Sequence, residues 1–234
     1  MEIERKLAEG VAGWLLYEFQ CNRSELFNER YLSTPISNIL HSFYKAPVHA
    51  EVLHPVLAPL KSGKPGRRPE IDFAVIEAWP TAKCFVETKW LGKSMLSAEE
   101  IIWDLLRLEL VASKTGAEAV FLIAGRTKFF LKFFQSKAFL GGGNKHRKLL
   151  KTTTQRNARL RTDSPGPERE TIYKKLFEHY QDIDFYSRIT TSRCGLYPKT
   201  SPAFQYQVYA WRVIPTKDPR FKPANTKLYA TVAG

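Results

Sequence analysis

The sequence predicts an α/β fold built on a central mixed β-sheet flanked by helices, and three observations carry that prediction. Residues 70–79 and 83–90 read as two strands joined by the short link Pro80-Thr81-Ala82, which suits an antiparallel hairpin. Ser97-Ala98-Glu99-Glu100 has the form of a capping box and opens a strongly apolar helix reaching about residue 113. After Gly116, the stretch AEAVFLIAG is a continuous apolar run of the kind that fills an interior strand. Hairpin, helix and strand in that order call for a sheet with both antiparallel and parallel neighbours.

The remaining elements follow along the chain. Ile3, Leu7, Val11, Trp14, Leu15 and Leu16 recur at near-helical spacing, predicting a first helix over 3–20. Ser24 is placed to cap a second helix of a turn or two, and residues 35–40 read as another short apolar helix. VHAEVLHPVLA follows Pro47, with a strand expected around 48–53, and the basic Gly/Pro segment 61–69 cannot lie inside a sheet. In the first hairpin strand Ile71, Phe73 and Val75 point one way, and Glu70, Asp72, Ala74 and Ile76 the other. In the second, Cys84, Val86 and Thr88 oppose Phe85, Glu87 and Lys89. The capped helix sets Ile101, Ile102, Leu105, Leu108 and Val111 toward the core and Glu100, Asp104 and Arg107 along a polar stripe. TKFFLKFFQSKAFL predicts one more helix, TIYKKLFEHYQDIDFYS starts helical, and FQYQVYAWRV alternates like a final strand added at an edge. The organisation expected is one domain over 1–234, with a core of about 5–125, a basic loop at 137–161 and a C-terminal extension at 162–234.

Composition narrows the partners. Thirty-six basic residues against 23 acidic ones give a net charge of +13, which favours a polyanionic partner. Between Arg126 and Arg161 there are eleven Lys or Arg and no acid, either a solvated basic loop or an arm that tracks phosphates. No signal peptide or membrane span is visible, so the expected location is cytoplasmic or nucleoid-associated, away from membranes. Cys21, Cys84 and Cys194 are odd in number and scattered, and neither they nor the five histidines have metal-site spacing.

The chemistry concentrates in the hairpin. Asp72 and Glu87 sit in apolar strands, where a carboxylate is costly unless paired or bound to a cation. Lys89 emerges on the same face as Glu87. Two carboxylates can hold Mg²⁺, with Mn²⁺ able to substitute, and a lysine beside them can orient or deprotonate a water or offset charge on a phosphate. A strand carrying Glu and Lys by chance is the plain alternative. Glycosidic acid/base chemistry is disfavoured by the adjacent lysine and the positive charge.

PEIDFAV followed by FVETKW resembles the PD-(D/E)xK, or restriction-endonuclease-like, nuclease superfamily, with two residues inserted between Pro69 and Asp72. The resemblance implies a restriction-endonuclease-like core over roughly residues 5–125. It implies Asp72 and Glu87 as metal ligands and Lys89 as the residue that positions the attacking water. It further implies a glutamate from the N-terminal helical region, for which Glu29 is the first choice ahead of Glu25 and Glu18. Glu51 is expected beside the site, with Asp104 and Arg107 in support or as a simple intrahelical ion pair. Lys61, Lys64, Arg67 and Arg68 precede Asp72 and are candidate nucleic-acid contacts, as are Lys145, Arg147 and Lys148. The function so predicted is a stand-alone Mg²⁺-dependent endonuclease acting on DNA rather than RNA, as a monomer or homodimer. The alternative is a catalytically silent DNA-binding or nucleoprotein assembly protein.

Overall fold

The computed structural model describes residues 2–61, 67–78, 80–93, 96–140, 148–150, 152, 157–192, 197–198, 205–215 and 217–230, with the side chains of Lys61, Lys137 and Ala138 excepted. The chain opens with α1 (Ile3–Gln20), which buries Ile3, Leu7, Val11 and Leu15 on one face. Two 3₁₀ turns, Ser24–Leu26 and Arg30–Leu32, lead into α2 (Ser33–Tyr44), where the sequence suggested a capped helix at Ser24 and a shorter one at 35–40. The Ser24 side chain makes no cap, and only one turn forms there.

Strands β1 (His49–Leu53), β2 (Glu70–Ala78) and β3 (Thr81–Leu91) form an antiparallel meander. Helix α3 (Ala98–Thr115) then crosses over to β4 (Glu118–Arg126), which lies parallel to β3. The capping box at Ser97 and Glu100 is present with both of its hydrogen bonds. Gly116 ends the helix at φ 71°, a left-handed conformation that an L side chain adopts only at a cost. Gly125 is demanded by proximity: a Cβ there would stand 2.4 Å from the Leu91 carbonyl oxygen on the neighbouring strand.

The expected single helix after Gly125 is two, α4 (Thr127–Phe134) and α5 (Lys137–Leu140). The break falls at Ser136, whose hydroxyl accepts the Phe139 amide at 3.3 Å and so starts a new helix. Beyond it come β5 (Ala158–Arg161), α6 (Pro167–Glu178), β6 (Phe185–Tyr186), β7 (Arg188–Thr191), β8 (Tyr206–Ile214) and β9 (Arg220–Phe221). The expected basic loop at 137–161 thus begins in a helix and ends in a strand.

The sheet runs β1-β2-β3-β4-β8-β7-β5, mixed in direction and flanked by helices. β8 is therefore an interior strand between β4 and β7, which corrects the expected added edge. Its Val208, Tyr209, Ala210, Trp211 and Val213 are all buried, so the alternation of FQYQVYAWRV is broken in its centre by residues covered on both faces. Three of the seven strands come from the C-terminal third, and residues 162–234 supply β7 and β8 to the same sheet as the hairpin.

α3 packs on β3, β4 and β8, while α1 packs on β8 and α2. The partition of faces follows the pleat. Cys84 of β3 and Glu118 of β4 are register partners, and Glu118 accepts a hydrogen bond from Tyr44 of α2. Glu87 and Lys89, on the opposite face of β3, meet side chains of α3. Among the described residues, no helix is long and apolar enough to cross a membrane.

Candidate active site

β2 and β3 pair with Ala74 opposite Phe85 and Phe73 opposite Val86, and the next position along that register sets Asp72 opposite Glu87. The strand ladder stops there. Asp72 Oδ2 accepts the Thr88 amide at 2.7 Å and the Thr88 hydroxyl at 2.8 Å, so a carboxylate bridges the two strands where backbone pairing ends. β1 continues the row, because Ala50 faces Phe73 and Val52 faces Ile71, which brings Glu51 to the position opposite Asp72. Glu51 has φ 51°, a left-handed backbone costing a non-glycine residue about 1–2 kcal/mol.

α3 supplies the next layer from Asp104 and Arg107, one turn apart. Lys89 Nζ lies 3.1 Å from Asp104 Oδ2 and 3.8 Å from Glu29 Oε1, and it donates to the Thr88 carbonyl at 3.1 Å. Arg107 Nη2 lies 3.0 Å from Glu87 Oε1 and also pairs with Asp104, while Nη1 donates to the Glu70 carbonyl at 2.6 Å. The intrahelical pair of Asp104 and Arg107 therefore also braces the sheet. Trp103 places its ring against the Arg107 guanidinium at 5.9 Å.

Behind Arg107 stands a residue that sequence reasoning passed over. His54 is fully buried, and its Nδ1 accepts the amides of Val56 and Leu57 at 3.2 and 3.0 Å. The proton must then sit on Nε2, which donates to the Arg107 carbonyl at 3.1 Å. Burial lowers the His54 pKa to about 4, keeping the ring neutral. It ties the end of β1 to α3.

Of the three candidate N-terminal glutamates, the fold brings only Glu29 to the cleft. Asn28 Oδ1 accepts the Tyr31 amide at 3.0 Å, and the turn at Arg30 runs directly into α2, so Glu29 sits in the first turn of a continuous helical stretch. Glu18 is committed elsewhere, to Tyr31 and Arg23, and Glu25 is exposed on its 3₁₀ turn.

A cleft of about 530 Å³ opens over this floor. Asp72, Thr88 and Arg107 line its base, and Glu29, Glu51, Arg30, Arg67 and Arg68 its walls. Glu87 (0% exposed), Asp104 and Lys89 stand behind that surface. Arg67 is ion-paired with Glu70, and Arg30 had not been singled out from the sequence. Lys148 is exposed but does not line the cleft, while Lys64, Arg147, Lys145 and the side chain of Lys61 lie outside the described residues.

The electrostatics are those of a crowded, half-dry site. Burial pushes the Glu87 carboxyl well above the usual range; Asp104 adds to the rise and Arg107 opposes it. Asp104 is raised by burial against the pull of Lys89 and Arg107, and Glu29 is raised by burial against the pull of Lys89. For Lys89 burial acts downward, but Asp104, Glu29, Asp72 and Glu87 together outweigh it, so its pKa rises and the ammonium stays charged at neutral pH. Glu87 Oε1 and Asp104 Oδ2 are held by their ion pairs with Arg107 and Lys89, while Glu87 Oε2 and Arg107 Nε are buried without a hydrogen bond.

Among the described residues, no three Asp, Glu, His or Cys side chains stand together as a ready-made metal cage. The pair Asp72 and Glu87 fits a different requirement. Mg²⁺ commonly takes one or two carboxylates and completes its shell with water and substrate phosphates. Comparison of the chain with protein-family models, with curated proteins and with solved structures returned no match.

Proposed function

We propose that this chain is a divalent-metal-dependent nuclease that hydrolyses phosphodiester bonds in DNA, with a restriction-endonuclease-like core and a PD-(D/E)xK active site made by Asp72, Glu87 and Lys89. One observation carries the reading: Asp72 and Glu87 occupy facing register positions beside the Lys89 ammonium, beneath a cleft walled by Arg30, Arg67 and Arg68. The antiparallel meander, the crossover through α3 and the parallel β4 support the fold part of the proposal.

Asp72 and Glu87 would hold the ion, which when bound supplies a Lewis acid for the phosphate and lowers the pKa of a bound water. Thr88 fixes the Asp72 carboxylate through two hydrogen bonds, so its remaining oxygen is aimed without further ordering. Lys89 acts as a cation. With its pKa raised it holds its protons at neutral pH, so it orients the attacking water and offsets charge growing on the phosphate. Asp104 and Glu29 keep the ammonium on station. Arg30, Arg67 and Arg68 would meet the phosphates on either side of the scissile bond, and binding should weaken steeply with salt. One such site cuts one strand, so a double-strand break requires a second copy or a second nick.

A specific observation also keeps the silent alternative alive. Glu87 is fully buried and paired with Arg107, as expected of a protein that binds DNA in the cleft without cutting it. The test incubates supercoiled, linear and single-stranded DNA with Mg²⁺, Mn²⁺ or EDTA, beside a Lys89→Ala control. The proposal expects metal-dependent cutting that falls by a factor on the order of 10²–10³ in the variant. Equal background in both proteins with DNA binding intact would replace the nuclease by the binding reading.

A further inference from the structure

We infer that a pocket beside α1, apart from the cleft over Asp72, takes one unpaired base of a single-stranded DNA. The inference rests on the reading of the chain as a protein that acts on DNA, and it names the form of DNA.

The pocket holds about 120 Å³, the scale of an apolar cavity that admits a single ring. Among the described residues its walls include Leu16 and Phe19 of α1, Tyr197 and Tyr206, so three of these four side chains are aromatic. Gln205 adds one amide, which can donate and accept at once. Gly13 leaves the helix side open, because a Cβ there would meet nothing within 4 Å. Leu16 and Tyr197 are each 37% exposed, so these walls face solvent instead of closing into the core. Aromatic walls with a lone amide suit a flat heterocycle, whose face stacks on rings and whose polar edge meets the amide.

Charge selects a nucleic acid over an apolar side chain or an acyl chain. Arg126 pairs with Tyr206 across β4 and β8, and its guanidinium lies 6.0 Å from the Tyr206 ring centre. A phosphate next to a seated base therefore meets a cation at the pocket. Arg126 also opens the stretch 126–161, which holds eleven Lys or Arg and no acid.

Position joins the pocket to the cleft. Tyr31 follows the cleft-lining Arg30 and sets its ring 5.3 Å from Phe27, which lies 4.9 Å from Tyr206. Thr88 faces Leu122, and Leu122 faces Ala210, across the sheet. Tyr206 thus stands two strands across and four residues along from Thr88, about 16 Å away. A stacked strand, at about 3.4 Å per nucleotide, covers that distance in about five steps. In a duplex each base is held by its complement, so the pocket is served by an unpaired strand.

The experiment measures binding to the intact protein in EDTA by fluorescence anisotropy. It compares single-stranded DNA with an abasic strand of the same length and charge. The strand with bases is expected to bind about tenfold more tightly. Gly13→Leu fills the pocket from α1 with a better helix former, so its thermal midpoint should not fall while the tenfold gap closes. Equal binding of the two strands by the wild type would overturn the inference, as would a gap that survives Gly13→Leu. Base-dependent binding without metal-dependent cutting would keep this pocket and remove the nuclease. Cutting with equal affinity for both strands would do the reverse.

Discussion

Helix α3 passes two buried glutamates, and the chain treats them in opposite ways. Glu87 on β3 meets the helix near Arg107; Glu109 lies on the helix itself, two residues further on. Both are almost free of solvent, and burial raises both pKa values, that of Glu109 to about 8. Among the described residues, Glu109 has the charge of Arg220 to oppose its burial, does not line the cleft, and has an Oε1 without a hydrogen bond. It meets the cost of burial by keeping its proton. Glu87 instead has Arg107 at 3.0 Å, Asp72 opposite it and a cleft above walled by both glutamates and arginines. Burial alone makes a neutral acid. Burial with converging opposite charges beside an opening makes the arrangement from which a cation site is proposed.

The strongest test of that contrast removes the cation. Arg107→Ala leaves Glu87 and Asp104 buried without their guanidinium and should cost about 3–5 kcal/mol in urea unfolding without metal. Added Mn²⁺ should recover part of the loss, because an ion that binds only the folded state stabilises it. An unchanged midpoint would mean that the network does not hold the site together.

Glu109 tests the other side. Its folded pKa lies above the 4.5 of an unperturbed glutamate, so the unfolded chain releases its proton first as pH rises. Wild-type stability should fall between about pH 4.5 and 8 relative to Glu109→Gln, by about 5 kcal/mol in all, with no response to divalent ions. A gap between wild type and variant that stays flat from pH 5 to 9 would show that Glu109 is not held neutral.

The smallest effect belongs to Glu51, the exposed carboxylate opposite Asp72. Glu51→Gly should raise stability by about 1 kcal/mol by relieving the left-handed backbone, measured in the same unfolding assay. A loss of more than that would mean that the Glu51 side chain is needed by the site.

Much of this was legible in the sequence because it depended on local rules. Period-two alternation set Asp72, Glu87 and Lys89 on the same side of their strands, and Ser97 and Glu100 announced α3. Arg107 and Asp104 were visible as a polar stripe, but their reach to Glu87 and Lys89 depends on how a crossover helix lies on its sheet. Thr88 looked like an ordinary strand threonine, and nothing local showed that its amide would lose a backbone partner to Asp72. His54 carries no motif because its work is done through backbone groups. β8 was misplaced because position within a sheet is set by long-range pairing, which the pattern of a single strand does not encode.

The left-handed turn of Glu51 has a consequence for the molecule among its own copies. β1 is an end of the sheet, and an uninterrupted edge offers its free N–H and C=O groups to any extended chain that drifts past. A left-handed residue in the middle of a five-residue strand spoils that template at its centre, and a charged side chain stands at the same spot. The left-handed residue that lines the cleft therefore also makes this rim a poor template for another strand, which guards the chain against pairing with its own copies there.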